Sequence, residues 1–288
     1  MLDALKQVRA AISYLNPDEV RERAGLPLSI GMVANTSSGH ADMEDYLLPD
    51  GISREKRSDL LRCLHRTSEA EADRFDIVLY EQGLACPASA FTFYRDDPMT
   101  TVKDIMNERP DLTLALARRF RPFRRPVVDR IIQSVARENA FFAIVTALPN
   151  VVPSLLELPW SLGEFASDTA FITVNQVRMA FLIAGASDRD VGYMEQKGVI
   201  ASIGAGAFGW RAIARELAGK IPMGGGLIPK GAIAFAGTYV VGRGLERYHH
   251  VGRAYSRIER RDAYATALER GKAVAEAILA GLSKRTEA

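Results

Sequence analysis

The stretch from Gly198 to Gly242, GVIASIGAGAFGWRAIARELAGKIPMGGGLIPKGAIAFAGTYVVG, holds eleven of the chain's 23 glycines and only five charged residues. It reads as two apolar helices joined by a glycine corner. Pro222 and Pro229 bracket Gly224, Gly225 and Gly226, and no helix runs through such a sequence. Ala201, Ala205 and Gly209 recur at every fourth position of the first arm, as Ala232 and Ala236 do in the second. That spacing lets two helix backbones approach closely, in lipid or in a tight core. Residues 204–209 also match the dinucleotide fingerprint G-x-G-x-x-G after a possible strand, Val199 to Ile203. The fingerprint needs an acid about 20 positions further on to hold the ribose hydroxyls, and Met223 to Ile228 supplies none. Close helix packing is the preferred reading; NAD-dependent oxidoreduction through Gly204, Gly206 and Gly209 is the alternative.

The 288 residues are 48% hydrophobic and 25% charged, as expected for one large or two ordinary globular domains. A formal net charge of +2 gives no argument for nucleic acid. Cys63 and Cys86 make neither a disulfide framework nor a C-x-x-C pair, which fits a reducing cytoplasmic setting. The opening MLDALKQVRAAISYL places Leu2, Leu5, Val8, Ile12 and Leu15 on one helical face, with Asp3, Lys6 and Arg9 elsewhere. It lacks the unbroken apolar core of a signal peptide and reads as a docking helix or a weak surface anchor. No segment is a clean transmembrane span, since prolines or charges interrupt each apolar run. Two options remain, a large buried helical core or a hairpin dipping into the bilayer from one side.

The front of the chain alternates candidate strands, Leu28 to Ala34, Arg74 to Glu81 and Ala90 to Tyr94, with candidate helices, Ala41 to Leu48 and Ser53 to Arg66. This is the pattern of a small α/β module. A phosphate loop would read G-x-x-x-x-G-K-[ST] after the first strand. Counted from Gly31, its closing positions are Thr36, Ser37 and Ser38, so its second glycine and its lysine are missing. Nucleotide turnover is not expected, although residual GTP or ATP binding stays open, as does an anion nest near Thr36 to Gly39.

From Met99 onward the periodicity is helical. Asp111 to Phe120 puts Leu112, Leu116 and Phe120 on one face; Pro126 then marks a helix start, with Val128, Ile131, Ile132, Val135, Asn139 and Phe142 along one side. Between them Arg118, Arg119, Arg121, Arg124 and Arg125 form either a solvated linker paired with Asp129 or Glu138, or a contact for anionic lipid or a partner. Further on, Glu157, Glu164 and Asp168 sit in apolar surroundings. Pairing with Arg178, Arg211 or Arg215 inside the bundle is preferred over a proton-handling or metal site, because buried ions need partners. Arg243, Arg247, Arg253 and Arg257 follow the second arm, as lipid contacts or as pairs with Glu246 and Glu259. No H-E-x-x-H, G-x-S-x-G or metal-spaced Cys/His set occurs, and His249-His250 reads as a surface feature. No catalytic, cofactor or metal residue is assigned.

Leu148-Pro149, Asn175-Gln176-Val177-Arg178-Met179, the arm from Gly206 through Phe208-Gly209-Trp210-Arg211 to Lys220-Ile221-Pro222, and Gly231 to Gly242 with its Ala-Gly-Thr together carry a resemblance. Over about Asn139 to Gly252 the chain resembles the helical domain of unknown function that follows the GTP-binding module of some Era-like bacterial GTPases and occurs in their inner-membrane relatives. The resemblance implies a compact helical domain with a glycine-rich hairpin, membrane association, and no established reaction. The front module then looks like a degenerate G domain without its phosphate loop.

The expectation is thus an α+β, predominantly α chain: a small α/β module over residues 1–110, a basic helical connector over 111–138, and a helical domain over 139–288 with its apolar hairpin at 198–242. The expected function is a non-enzymatic protein of the cytoplasmic membrane face that mediates lipid contact, self-association or partner binding. A membrane surface, a second copy or a GTPase are its expected partners, and nucleic acid is not.

Overall fold

The computed structural model describes residues 15–48, 51–148, 168–206 and 226–286. The protein is predominantly α-helical with a small parallel sheet. It divides into an α/β unit, Glu19–Asp129 with Gly185–Asp190, and a helical unit, Met1–Asp18, Arg130–Ala184 and Val191–Ala288.

In the α/β unit, α1 (Pro17–Gly25) precedes β1 (Ile30–Val33), followed by α2 (Ser37–Leu47), α3 (Arg54–Leu61), β2 (Leu64–Arg66), β3 (Ile77–Glu81), β4 (Phe91–Phe93), α4 (Pro98–Glu108) and α5 (Thr113–Arg119). The strands are all parallel in the order β2-β1-β3-β4, and Ile30 aligns with Leu64 on one side and Ile77 on the other. β1 is buried along its whole length, as a central parallel strand must be, which is why it reads as an apolar run. A Cβ at Gly31 would lie 2.6 Å from the Phe75 ring, so the glycine lets that ring close over the strand.

The helix expected from Ser53 to Arg66 stops at Leu61, and Leu64–Arg66 is a strand. Three residues are too few to show a strand period, and what fixes them is non-local. Ile30 N–H donates to the Cys63 carbonyl at 2.7 Å, drawing the chain onto the edge of β1.

α6 (Arg121–Val145) starts before the expected Pro126, which lies inside it. The missing N–H of Pro126 leaves the Pro122 carbonyl without its intrahelical donor, near enough the helix start to be tolerated. Residues 111–129 group with the α/β unit and do not form a separate connector. The reason is burial: Leu116, Phe120 and Phe123 are almost wholly inaccessible, so the arginines between them decorate a packed corner.

The helical unit contains the remainder of α6, α7 (Asp168–Ala186) as far as Ala184, a helical run over 197–206, α8 (Leu227–Val251) and α9 (Arg257–Thr286). Among the described residues one helical stretch, Thr169–Ala186, is long and apolar enough to cross a bilayer, and nearly all of it is buried inside the protein. Phe142 of α6 stacks on Phe171 of α7 with centroids 3.8 Å apart. A Cβ at Gly242 of α8 would come within 2.7 Å of Ile132, so α8 lies directly against α6 there.

Four buried polar side chains tie these three helices together. Asn175 donates to Asn139 at 2.9 Å, while Asn139 and Gln176 both donate to the Thr238 hydroxyl, at 2.8 and 3.4 Å. Each satisfies the others, which is the condition for tolerating amides in an apolar interior.

Ala232 and Ala236 are buried as small-residue contacts, but their partner is α9: they cluster with Val240, Tyr264, Ala267 and Leu268. Ala201 and Ala205 are exposed among the described residues, and Gly209 lies outside them. Of the expected glycine corner, Gly224 and Gly225 lie outside the described residues and Gly226 is the N-cap of α8.

Candidate functional site

The helical unit presents a basic turn with an apolar tip where α8 passes into α9. Gly252 ends α8 in the left-handed conformation (φ 78°), its N–H donating to the Tyr248 carbonyl at 2.9 Å. This is the usual glycine stop of a helix. Four residues later Ser256-Arg257-Ile258-Glu259 starts α9 as a capping box. Glu259 N–H donates to Ser256 Oγ at 3.3 Å, and Ser256 N–H donates back to the Glu259 carboxylate at 2.8 Å. Arg247 of α8 pairs with Glu259 at 2.9 Å and lies over the Tyr255 ring. The Ser256 backbone and hydroxyl, followed by Arg247, hold the Glu259 carboxyl down to about 2.

These contacts sort the four basic residues expected at this end. Arg243 pairs with Glu246 at 2.7 Å and donates to the Tyr239 hydroxyl, contacts that stay within α8, whereas Arg247 reaches across the turn to Glu259. Arg253 is exposed at the tip. Arg257 is the first residue of α9. His250, Arg260 and Arg261 are also exposed there. In their midst Val251 is 58% and Ile258 75% exposed, with Tyr248 at 48%. Sequence reading missed this apolar part, because Val251 and Ile258 are ordinary helix residues until the turn leaves both of them exposed.

The other arginine cluster lies within the α/β unit. Arg118 approaches Asp188 at 3.7 Å and donates to the Arg189 carbonyl at 2.9 Å, and Lys56 of α3 pairs with the other oxygen of Asp188. Asp188 itself has φ 58°, a left-handed position just past α7 that aspartate tolerates. Arg119 donates to Cys63 Sγ at 3.4 Å. Arg124 donates to the carbonyls of Ala117, Ala186 and Arg118 at 3.1 to 3.3 Å, supplying donors to the ends of α5 and α7. Burial pushes its guanidinium below the ordinary value; Asp188 acts against this, and Arg121, Arg189 and Arg118 add to it. Arg121 and Arg125 are exposed. Lys56 and Asp188 were not legible as part of this cluster, since they meet across 132 positions of sequence.

Of the expected bundle ion pairs, Arg178 joins Glu138 of α6. Asp168 is the first residue of α7. Glu157, Glu164, Arg211 and Arg215 lie outside the described residues. Gly204 and Gly206 fall within the helical run 197–206, where the expected Val199 to Ile203 strand is absent, so the strand-turn-helix setting of a dinucleotide fingerprint is not formed there.

At the carboxyl ends of β1 and β3, where open parallel sheets receive ligands, the protein places its own carboxylate. Thr36 Oγ1 donates to Glu81 Oε1 at 2.7 Å and Asn35 N–H to Oε2 at 2.9 Å. A Cβ at Gly39 would lie 2.4 Å from that carboxyl group. The Thr36 hydroxyl, followed by the Asn35 and Thr36 backbone, holds the Glu81 carboxyl below its ordinary value. Among the described residues no three His, Cys, Asp or Glu side chains converge as a metal set. No family model, curated protein or solved structure matches the chain.

Proposed function

We propose that this is a non-enzymatic protein of the cytoplasmic membrane face, and that the turn between α8 and α9 is its contact with an anionic bilayer. The observation that carries the reading is the exposure of Val251, Ile258 and Tyr248 among Arg253, His250, Arg260 and Arg261. Burying an aliphatic side chain fully contributes about 1.5 to 3 kcal/mol, and each basic residue near an anionic leaflet about 1 kcal/mol. Two aliphatics and three arginines make a reversible, salt-sensitive anchor of the interfacial kind. The resemblance of residues 139–252 to the helical domain of Era-like GTPases and their inner-membrane relatives points the same way. The rival nucleotide readings lose ground at two places: Glu81 occupies the crevice at the sheet's carboxyl edge, and Gly204 and Gly206 are helical.

Co-sedimentation of the full chain with phosphatidylcholine vesicles, with and without phosphatidylglycerol, tests this. Binding should require the anionic lipid, fall with added salt, and vanish in Val251→Asp/Ile258→Asp with the helical circular dichroism unchanged. Equal binding by that variant would overturn the reading. Loss of a concentration-dependent dimer in the same variant, with no vesicle binding by either protein, would replace the bilayer by a second copy of the chain.

A further inference from the structure

We infer that the α/β unit carries a second, separate site, a cleft between α3 and the α5–α6 corner that binds a compact phosphate-bearing dianion. The cleft encloses about 320 Å³ and presents Lys56, Arg119, Arg121 and Arg124 with the Ser53 cap of α3; its lining includes no acid among the described residues. An adjoining hollow of about 500 Å³ shares Lys56 and Arg119 and contains the local acids, Glu55, Asp59 and Asp188. Asp188 is engaged by Lys56 and Arg118. It therefore offsets only part of the charge. Neither Arg119 nor Arg121 has an acidic partner among the described residues, the one touching a thiol and the other exposed.

Three features make this more than a solvated run of arginines. Arg124 is fixed by three backbone carbonyls, so its charge is positioned before any ligand arrives. Arg118, Arg121 and Arg189 surround it with like charge in a partly buried setting, an arrangement that an anion relieves. The first turn of α3, with Ser53 accepting from Lys56 N–H at 3.3 Å, borders the same space and adds its positive end. Planar guanidinium groups converging from two helices suit a phosphate with several oxygens better than a single carboxylate. The volume admits a pyrophosphate or a phosphorylated polyol and lies at the lower end for small-molecule sites. The phosphate group is the shared chemistry of two sources, a free metabolite and a phosphorylated lipid headgroup.

Calorimetric titration of the full chain with pyrophosphate tests the site. Saturable binding of one equivalent is expected, weakened at least tenfold in Arg119→Gln/Arg121→Gln and unchanged in Val251→Asp/Ile258→Asp, whose defect belongs to the bilayer contact. Arg124 is left in place, because its loss would free three carbonyls and disturb the fold. Pyrophosphate displacing the Val251→Asp/Ile258→Asp variant, which lacks the bilayer contact, from vesicles that carry a phosphorylated inositol lipid assigns the site to a headgroup; binding of pyrophosphate in solution with no binding of that variant to the vesicles assigns it to a free ligand. No saturable heat at millimolar pyrophosphate, or equal affinity in the folded arginine variant, would overturn the inference.

Discussion

Gly271 of α9 rides directly on the backbone of Ala232 in α8: a Cβ there would stand 2.7 Å from the Ala232 carbonyl oxygen and 3.0 Å from its Cα. Backbone cannot move aside as a flexible side chain can. Gly271→Ala is therefore expected to force α8 and α9 apart, with overpacking costing about 1 to 3 kcal/mol, which exceeds the gain of up to about 1 kcal/mol that alanine brings to a helix interior. Gly281 of the same helix has nothing within 4 Å of its Cβ position, so Gly281→Ala should stabilise by about 0.5 to 1 kcal/mol. Urea unfolding of the two variants should give shifts of opposite sign.

Thr238 accepts from both Asn139 and Gln176 in the core of the helical unit. Thr238→Val keeps the shape and leaves those amide donors buried without an acceptor, a loss of about 1 to 3 kcal/mol. Asn139→Ala removes the shared hub and opens space as well, and should cost more than Thr238→Val in the same unfolding measurement.

The carboxyl of Glu259 falls from 4.5 to about 2 on folding. A depressed acid stabilises the folded state above its unfolded value and loses that contribution as pH drops through the folded one. The thermal midpoint of the wild type should therefore decline between pH of about 4.5 and 2 more steeply than that of Glu259→Gln, measured by circular dichroism on both proteins.

Thr36 caps α2 through Gly39 N–H at 2.9 Å and donates to Glu81. Thr36→Val removes both contacts, and loss of the cap alone costs about 0.5 to 2 kcal/mol. Thr36→Ser should restore most of the stability, because what matters is the hydroxyl.

The sequence by itself determined the helical character of the second half, the central strands and the burial of the faces carrying Ile132, Val135 and Asn139, since these follow from local periodicity. It showed that Ala232 and Ala236 would be packing positions, but not that α9 would cover them, because a small residue marks a close approach and does not identify the neighbour. Only the tertiary structure made a strand of residues 64–66, joined Lys56 to Asp188, and left Val251 and Ile258 exposed at either side of a turn. Period and capping act within a few residues along the chain. Pairing and exposure depend on which segments the fold brings together across a hundred.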